Sequence, residues 1–485
     1  MTKELRRLSF VMLAMFLALF ASTSYIQVIG AGDLQANSEN RRALYDSYEV
    51  QRGSIFAGNT VIASSVASDD FYSWNRQYPD AEMWAPVTGY INPVLGSATG
   101  LEQAMNSALS GTGGSQFLSR VEQIVSGQPP QGSNVLTSLD PELQQIAWDA
   151  LDGLEGAVIV MEPDTGRILA MVTSPSYDTN LLASHNTAEV DTEYQRLLDD
   201  ALNPMYNRAI AGALDPPGST FKLVVAAAAL SSGQFTPESD FDNPSSWTLP
   251  GTSTPIYNFD NGTCGAGETA TIATALRLSC NIPMAQLAVA LGDDAIRAQA
   301  EKFGFNTSFE LPLASTASVY PRALNDAQTA LTGFGQGDVQ ATPLQMAMVA
   351  AGIANGGVVM NPQMVDSVVG ADLTVQETFE STEFGAALTP DVAEEMTSMM
   401  IANVSSGAAS GARIDGVDVA GKTGTAEHGV GDPYTLWFTG FAPADDPEVA
   451  VAVMVQNGGG RGQSGTSNGI AAPIAKKIFE AVLSR

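Results

Sequence analysis

Two strand-rich stretches, far apart in the chain, constrain its fold more than any other feature of the sequence. The first contains two β-rich runs, 156–161 and 167–172, on either side of a turn, and this pattern predicts a hairpin. The second contains three further strand-like runs: 417–428, 434–441 and 448–457. We expect both stretches to pair in one antiparallel sheet, with the residues between them folded mainly as helices.

Helical patterns lie between and beside these stretches. Runs at 342–357 and 389–404 both begin with Thr-Pro, which favours a capped helix start. Two more helical runs, 139–151 and 469–483, flank the strand-rich stretches, and the first begins at Asp140 as a predicted cap. We therefore predict an α+β fold: an antiparallel sheet flanked by helices, with an inserted helical lobe.

The N-terminal segment is typical of a membrane anchor. Lys3, Arg6 and Arg7 precede residues 8–32, which contain no charged side chain, and a transmembrane helix needs only about 20 apolar residues. Positive residues favour the cytoplasmic side, so we predict that 1–32 form a cytoplasmic tail and a signal-anchor helix. A cleaved signal peptide is the alternative. In both cases the body of the protein is exported.

The length of 485 residues exceeds that of one ordinary core, which stops growing near roughly 250 to 300 residues. Residues 33–134 are irregular in pattern and include Gly- and Pro-rich runs such as 126–134. They predict a small, irregular N-terminal module. The strand-rich stretches and the helical residues fall within 135–485, which we predict to be the main domain.

The composition excludes several functional classes. Asp and Glu total 52 against 22 Lys and Arg, and the formal net charge of -30 would repel nucleic acid. Two histidines and two cysteines are too few for a typical zinc site, and the chain has no G-x-S-x-G motif. We expect no nucleic-acid partner, no metal and no cofactor, so any catalysis must use Ser, Lys, Thr, Asn and the backbone.

One of only six lysines stands three residues after a serine, at the start of a predicted helix. Ser219 and Lys222 then lie on one face, about 5 to 6 Å apart. A neutral amine there could take the proton of the hydroxyl, provided that burial or a second cation lowers the pKa of Lys222. Taken alone, such a pair is more often an exposed helix start.

A second lysine, Lys422, begins the sequence K-T-G-T on a predicted strand. Thr423 and Thr425 share one face of that strand because strand side chains alternate. Gly424 between them allows another backbone to approach closely. Lys422 could also be an edge charge that discourages aggregation.

An S-x-N pattern, Ser279 and Asn281, lies between these two lysines in the chain. Alone it is a weak signal, because such side chains commonly cap helices. The residue between them, Cys280, could form a disulfide with Cys264 in an oxidising compartment. The alternative is that the cysteines are two separate small buried residues.

The ordered set S-x-x-K, S-x-N and K-T-G-T resembles the penicillin-binding protein and serine β-lactamase superfamily. Residues 207–222 are similar to the active-site segment of class B, monofunctional penicillin-binding proteins, and 52–65 resemble more weakly the segment after their anchor. Within that class the chain is most similar to small actinobacterial members. The resemblance implies the serine β-lactamase/D,D-transpeptidase fold, with 33–134 non-catalytic and 135–485 the transpeptidase domain.

The resemblance also implies roles for the matched residues. Ser219 would be the acylated nucleophile, Lys222 its base and Ser279 a proton relay. Backbone N–H groups of Ser219 and Thr425 would form the oxyanion hole. The implied substrate-binding residues are Asn281, Lys422, Thr423, Gly424 and Thr425.

The implied function is a peptidoglycan D,D-transpeptidase that crosslinks stem peptides through a serine acyl-enzyme and is acylated by β-lactams. A D,D-carboxypeptidase and a non-catalytic β-lactam receptor or scaffold are the alternatives. A class A β-lactamase is disfavoured because no E-x-x-L-N lies between the second and third motifs. The chain would be a single-pass protein of the cell membrane with its catalytic domain outside, working in cell division or cell shape.

A membrane-embedded glycan polymerase is the implied partner. The roughly 100 residues before the main domain are too few for a glycosyltransferase core. Two further features have open explanations. His428 is either a surface residue at a hairpin tip or a contact to substrate. The Gly-rich run 333–338 either lines the cleft or simply connects two elements.

Overall fold

The computed structural model describes residues 2–26, 50–113, 131–212, 214–259 and 261–485. The predicted continuation of the anchor beyond residue 26 and most of the predicted loop at 126–134 lie outside the described residues.

Regular elements are found in every described range. The helices are α1 (Thr2–Ser24), α2 (Ala81–Thr88), α3 (Gly100–Ala104), α4 (Asn106–Leu109), α5 (Pro141–Leu151), α6 (Thr179–Ala183), α7 (Thr187–Asp199), α8 (Lys222–Ser231), α9 (Ile272–Leu278), α10 (Ile282–Leu291), α11 (Asp293–Lys302), α12 (Asp326–Thr332), α13 (Pro343–Ala354), α14 (Pro390–Ser406) and α15 (Ala471–Leu483).

The strands are short in the N-terminal part and longer in the main domain. They are β1 (Ile55–Ala57), β2 (Thr60–Ala67), β3 (Trp74–Gln77), β4 (Ile91–Asn92), β5 (Ser97–Ala98), β6 (Asn134–Thr137), β7 (Gly156–Met161), β8 (Ile168–Ser174), β9 (Asp240–Asp242), β10 (Ser246–Thr248), β11 (Pro255–Tyr257), β12 (Thr269–Thr271), β13 (Val358–Met360), β14 (Val365–Val369), β15 (Val375–Thr378), β16 (Glu383–Ala386), β17 (Ala420–Ala426), β18 (Thr435–Ala442) and β19 (Val449–Val455).

The main domain contains a five-stranded antiparallel sheet in the order β17-β18-β19-β7-β8. The predicted pairing of the two strand-rich stretches is confirmed. The central strands are buried on both faces, which explains why their sequences are continuous apolar runs. On one face, Val158 and Val451 share a core with Phe479 of α15. On the other, Ile159 lies in a second core with residues of α13 and the helical lobe.

Helix α8 passes through the centre of the helical lobe. Every residue from Lys222 to Leu230 is buried. A helix enclosed on all sides needs no polar face, and apart from Lys222 this stretch has no charged or polar side chain. The fold thus carries one amine into an apolar interior.

The N-terminal part is more regular than its sequence suggests. It forms a six-stranded sheet in the order β15-β14-β6-β1-β2-β3, to which residues 365–378 contribute the strands β14 and β15. Helix α3 places Glu102 in the interior, where its carboxylate contacts Arg52 at 2.8 Å and Arg76 at 2.5 Å. The buried carboxylate is thus paired with two guanidinium groups, and removal of any one partner would leave a buried charge uncompensated.

Helix α1 exposes its apolar side chains, for example Phe20 at 72%. Among the described residues, Arg6–Ser24 is the one helical segment long and apolar enough to cross a membrane, and no part of it is buried inside the protein. It is a possible membrane span, consistent with the predicted anchor.

Candidate active site

Ser219 lies in a 3-10 turn, Gly218–Phe221, that leads directly into α8. Its predicted place in the first turn of a helix is correct, although that turn is tighter than an α-helical one. Gly218 has φ 53° and donates its N–H to the carbonyl of Gly335 at 3.0 Å. A Cβ on Gly335 would stand 1.9 Å from the carbonyl oxygen of Gly218. The Gly-rich run 333–338 therefore supports the serine turn.

Strand β17 approaches the same turn from the other side. A Cβ added to Gly424 would lie 2.6 Å from the carbonyl oxygen of Pro217. A Cβ on Gly218 would lie 2.5 Å from the carbonyl oxygen of Thr425. The backbones of β17 and of the serine turn are thus in direct contact, as the glycine at position 424 led us to expect. The K-T-G-T strand therefore lies beside Ser219.

The amine of Lys222 is completely buried. Its Nζ donates to the carbonyl oxygen of Ser279 at 2.7 Å and to Oδ1 of Asn281 at 2.9 Å. Burial, and then the nearby charge of Lys422, hold the pKa of Lys222 well below its usual range. A neutral amine has two hydrogens and one lone pair. With both hydrogens bound to the S-x-N motif, the lone pair is left to accept a proton.

Lys422 is equally buried and contacts the same serine from its other side. Its Nζ donates to Oγ of Ser279 at 2.7 Å and to the carbonyl of Thr423 at 2.9 Å. Burial lowers the pKa of Lys422 to about 7. Ser279 has φ 62° and ψ 35°, a left-handed conformation that non-glycine residues seldom adopt. In this conformation the carbonyl oxygen of Ser279 accepts a hydrogen bond from Lys222, and its hydroxyl oxygen accepts one from Lys422.

The loop before α9 anchors the S-x-N motif. Asn258 Oδ1 accepts hydrogen bonds from the N–H groups of Asn281 at 2.9 Å and Ile282 at 3.1 Å. Asn281 Nδ2 in turn donates to the carbonyl of Tyr257 at 3.0 Å. A disulfide joins Cys264 of this loop to Cys280, the middle residue of the motif.

The hydroxyls of the K-T-G-T strand have different partners. Thr425 Oγ1 lies 2.9 Å from Oγ of Ser467, which donates to the carbonyl of Gly424. Thr423 Oγ1 donates to the carbonyl of Ala408 at 3.2 Å. Ser467 and Asn258 are not predicted as site residues by any sequence motif. Neither has a spacing signal, since each stands in a loop where polar residues are common.

A cavity of about 870 Å³ opens at this junction. Residues of all three motifs line it: Ser219, Ser279, Asn281, Thr423, Gly424 and Thr425. Further wall residues come from 255–259, from 466–468 and from the Gly-rich run, which contributes Phe334, Gln336 and Gly337. Lys222 and Lys422 stand behind the wall. Every predicted active-site side chain therefore lies in or directly behind one cavity, and the Gly-rich run contributes to its lining.

Comparison with known proteins identifies the family. Residues 156–480 match the penicillin binding protein transpeptidase domain, and residues 52–135 match the penicillin binding protein A dimerisation domain. The chain belongs to the penicillin-binding protein transpeptidase family.

This penicillin-binding protein is 40% identical to the peptidoglycan D,D-transpeptidase PbpA of Mycolicibacterium smegmatis, over 100% of the chain and 99% of the relative. The PbpA of Mycobacterium tuberculosis is also 40% identical, with the same coverage. The structure of penicillin-binding protein A from M. tuberculosis as a ceftriaxone acyl-enzyme complex has a TM-score of 0.87, covering 90% of this chain and 100% of that one. The imipenem acyl-enzyme complex has a TM-score of 0.86. The predicted class B membership and fold are confirmed.

Proposed function

We propose that this penicillin-binding protein is a peptidoglycan D,D-transpeptidase that works through an acyl-Ser219 intermediate. The observation that carries the proposal is the amine of Lys222: it is buried, its pKa is lowered, and both hydrogens of its neutral form are bound to the S-x-N motif. Such an amine is a base for a hydroxyl. The relatives from Mycolicibacterium smegmatis and Mycobacterium tuberculosis are named D,D-transpeptidases, which supports the same activity.

In the first half-reaction, Ser219 Oγ attacks the carbonyl carbon of the penultimate D-Ala while its proton passes to Lys222. Backbone N–H groups of Ser219 and Thr425 stabilise the oxyanion, and one such donor contributes roughly 3 to 4 kcal/mol in other acyl-transfer enzymes. The bond to the terminal D-Ala breaks, and Ser279 relays a proton to the leaving amine. Asn281 holds the peptide amide. Thr423 and Thr425 bind the terminal carboxylate in the positive field of Lys422, and Gly424 gives the backbone room to approach.

In the second half-reaction, an amine of another stem peptide attacks the acyl-enzyme and releases Ser219. β-Lactams acylate the same serine, as the ceftriaxone and imipenem complexes of the relative from M. tuberculosis support. No metal or cofactor takes part in these steps.

The chain organisation that fits this activity has three parts. Residues 1–32 form a cytoplasmic tail and a single membrane-spanning anchor, 33–134 a non-catalytic module, and 135–485 the transpeptidase domain outside the membrane. The possible span at Arg6–Ser24 supports the anchor. A membrane-embedded glycan polymerase would supply the strands that this domain crosslinks.

Labelling of the full-length chain in detergent with fluorescent penicillin tests the proposal. Wild-type protein should form a covalent adduct, and Ser219→Ala should form none. Incubation with a pentapeptide donor and an amine acceptor then separates the alternatives. Crosslinked product supports transpeptidation. Release of D-Ala without crosslinks indicates a carboxypeptidase, and stable labelling without either product indicates a receptor.

A further inference from the structure

The cavity wall just beyond strand β17 carries two side chains that the proposed reaction does not use, Glu427 and His428. Among the described residues that line the cavity, Glu427 is the single carboxylate, and no lysine or arginine lines it. Among the described residues, no ion pair involves Glu427. Its charge therefore remains available to a ligand.

His428 is held in place by a buried carboxylate. Its Nε2 lies 2.8 Å from Oγ1 of Thr435, whose hydroxyl donates to Oδ1 of Asp215 at 3.2 Å. Gln456 Nε2 donates to the other oxygen of Asp215 at 2.7 Å. Asp215 and Thr435 are both buried. The imidazole of His428 is thus held by a series of hydrogen bonds to buried residues behind the cavity wall. It is not a freely exposed side chain at a hairpin tip.

This hydrogen-bond chain determines the tautomer of His428. Thr435 Oγ1 donates its one hydrogen to Oδ1 of Asp215, so only the lone pairs of Oγ1 remain for His428. The oxygen of Thr435 then accepts a hydrogen bond from Nε2–H of the imidazole. The neutral ring keeps its lone pair on Nδ1, which has no hydrogen-bond partner among the described residues. His428 consequently presents an acceptor, and Glu427, the residue before it, lines the same cavity.

A carboxylate and an imidazole lone pair on the wall of one cavity favour a cationic hydrogen-bond donor. We propose that Glu427 and His428 bind the ammonium group of the acceptor stem peptide, an inference that rests on the proposed function. These residues follow Thr425 by two and three positions, which is about 7 to 10 Å along an extended chain. Nδ1 of His428 can accept one proton of the bound ammonium, and the neutral amine that results is held near the acyl-enzyme that it attacks.

The test compares matched charge and ring substitutions in the full-length chain. Glu427→Gln and His428→Gln are assayed with a pentapeptide donor ending in D-Ala-D-Ala and a tripeptide acceptor that carries a side-chain primary amine. The controls are Glu377→Gln, the same change at an exposed position of β15, and His185→Gln, the other histidine. Both site variants should raise the acceptor KM by about tenfold and increase hydrolysed over crosslinked product. For both controls, the acceptor KM and the ratio of hydrolysed to crosslinked product should stay within twofold of the wild-type values.

The outcomes separate this inference from the proposed function. If wild-type protein is not labelled by fluorescent penicillin and makes no crosslinks, the proposed function fails. If wild-type protein crosslinks and both site variants keep its acceptor KM, the ammonium site is wrong. Loss of penicillin labelling in the site variants would also overturn it, because that result assigns these residues to acylation or folding.

The positioning role of Asp215 has its own readout. In a His185→Gln background His428 is the single histidine, and long-range ¹H–¹⁵N spectra should show the Nε2–H tautomer. Asp215→Asn should shift the tautomer toward Nδ1–H and raise the acceptor KM as His428→Gln does. An unchanged tautomer in Asp215→Asn would refute the hydrogen-bond chain as the cause.

Discussion

Two buried amines, those of Lys222 and Lys422, contact one serine, Ser279, through its carbonyl and its hydroxyl. Burial lowers the pKa of Lys422 to about 7, whereas an unfolded lysine has a pKa of about 10.4. Between these values the unfolded chain binds a proton that the folded chain has released. Stability should therefore rise with pH through this window, by up to about 1.4 kcal/mol per pH unit.

Lys422→Met removes this titrating group. We expect the unfolding free energy of wild type, minus that of the variant, to increase from pH 7 to pH 9, as measured by denaturant unfolding at several pH values. Lys477→Met, at an exposed position of α15, is the control and should follow wild type. Parallel pH curves for wild type and Lys422→Met would show that the buried amine does not titrate in this window.

The sequence identifies the motif residues because scarce lysines stand at fixed spacings from Ser219 and from the K-T-G-T threonines. It does not identify Asn258 or Ser467, although both hold motif groups in place. Asn and Ser are frequent in loops, and their partners lie 23 and 43 positions away in the chain. Only the fold brings such pairs together.

At the scale of elements, the contact between β17 and the serine turn depends on glycine. Gly424→Ala would place a methyl group 2.6 Å from the carbonyl of Pro217 and push the turn away from the strand. We expect acylation by fluorescent penicillin to slow on the order of 10²-fold, the loss typical of one misplaced oxyanion donor. Gly385→Ala adds the same methyl group to strand β16, where no atom lies within 4 Å of the added carbon. The acylation rate of this variant should equal that of wild type. Equal rates for both variants would contradict the argument.

The long strands of the main sheet follow from the sequence because strands buried on both faces leave continuous apolar runs. The sequences of the N-terminal strands contain no comparable apolar runs. Strand β1 has three residues and pairs with β6 through Ile55 and Val135, and β6 pairs in turn with β14 through Val135 and Val368. Partners so distant in the chain cannot be predicted from local alternation.

For the whole molecule, the N-terminal module and the main domain share one hydrophobic core, which extends from Ile55 to Met454. Residues 365–378 also complete the N-terminal sheet. The predicted boundary between residues 134 and 135 falls within strand β6 and stays a prediction. A shared core and a shared sheet imply that the two parts unfold together.

Glu102→Gln tests this coupling. It leaves Arg52 and Arg76 buried without a carboxylate, which should cost about 3 to 5 kcal/mol. We expect one unfolding transition at a lower temperature, with penicillin labelling of Ser219 lost at that same temperature. Glu82→Gln, an exposed change on α2, should melt like wild type. If the module melted first while Ser219 stayed reactive, the two parts would be energetically independent, and the distant carboxylate would have no influence on the serine turn.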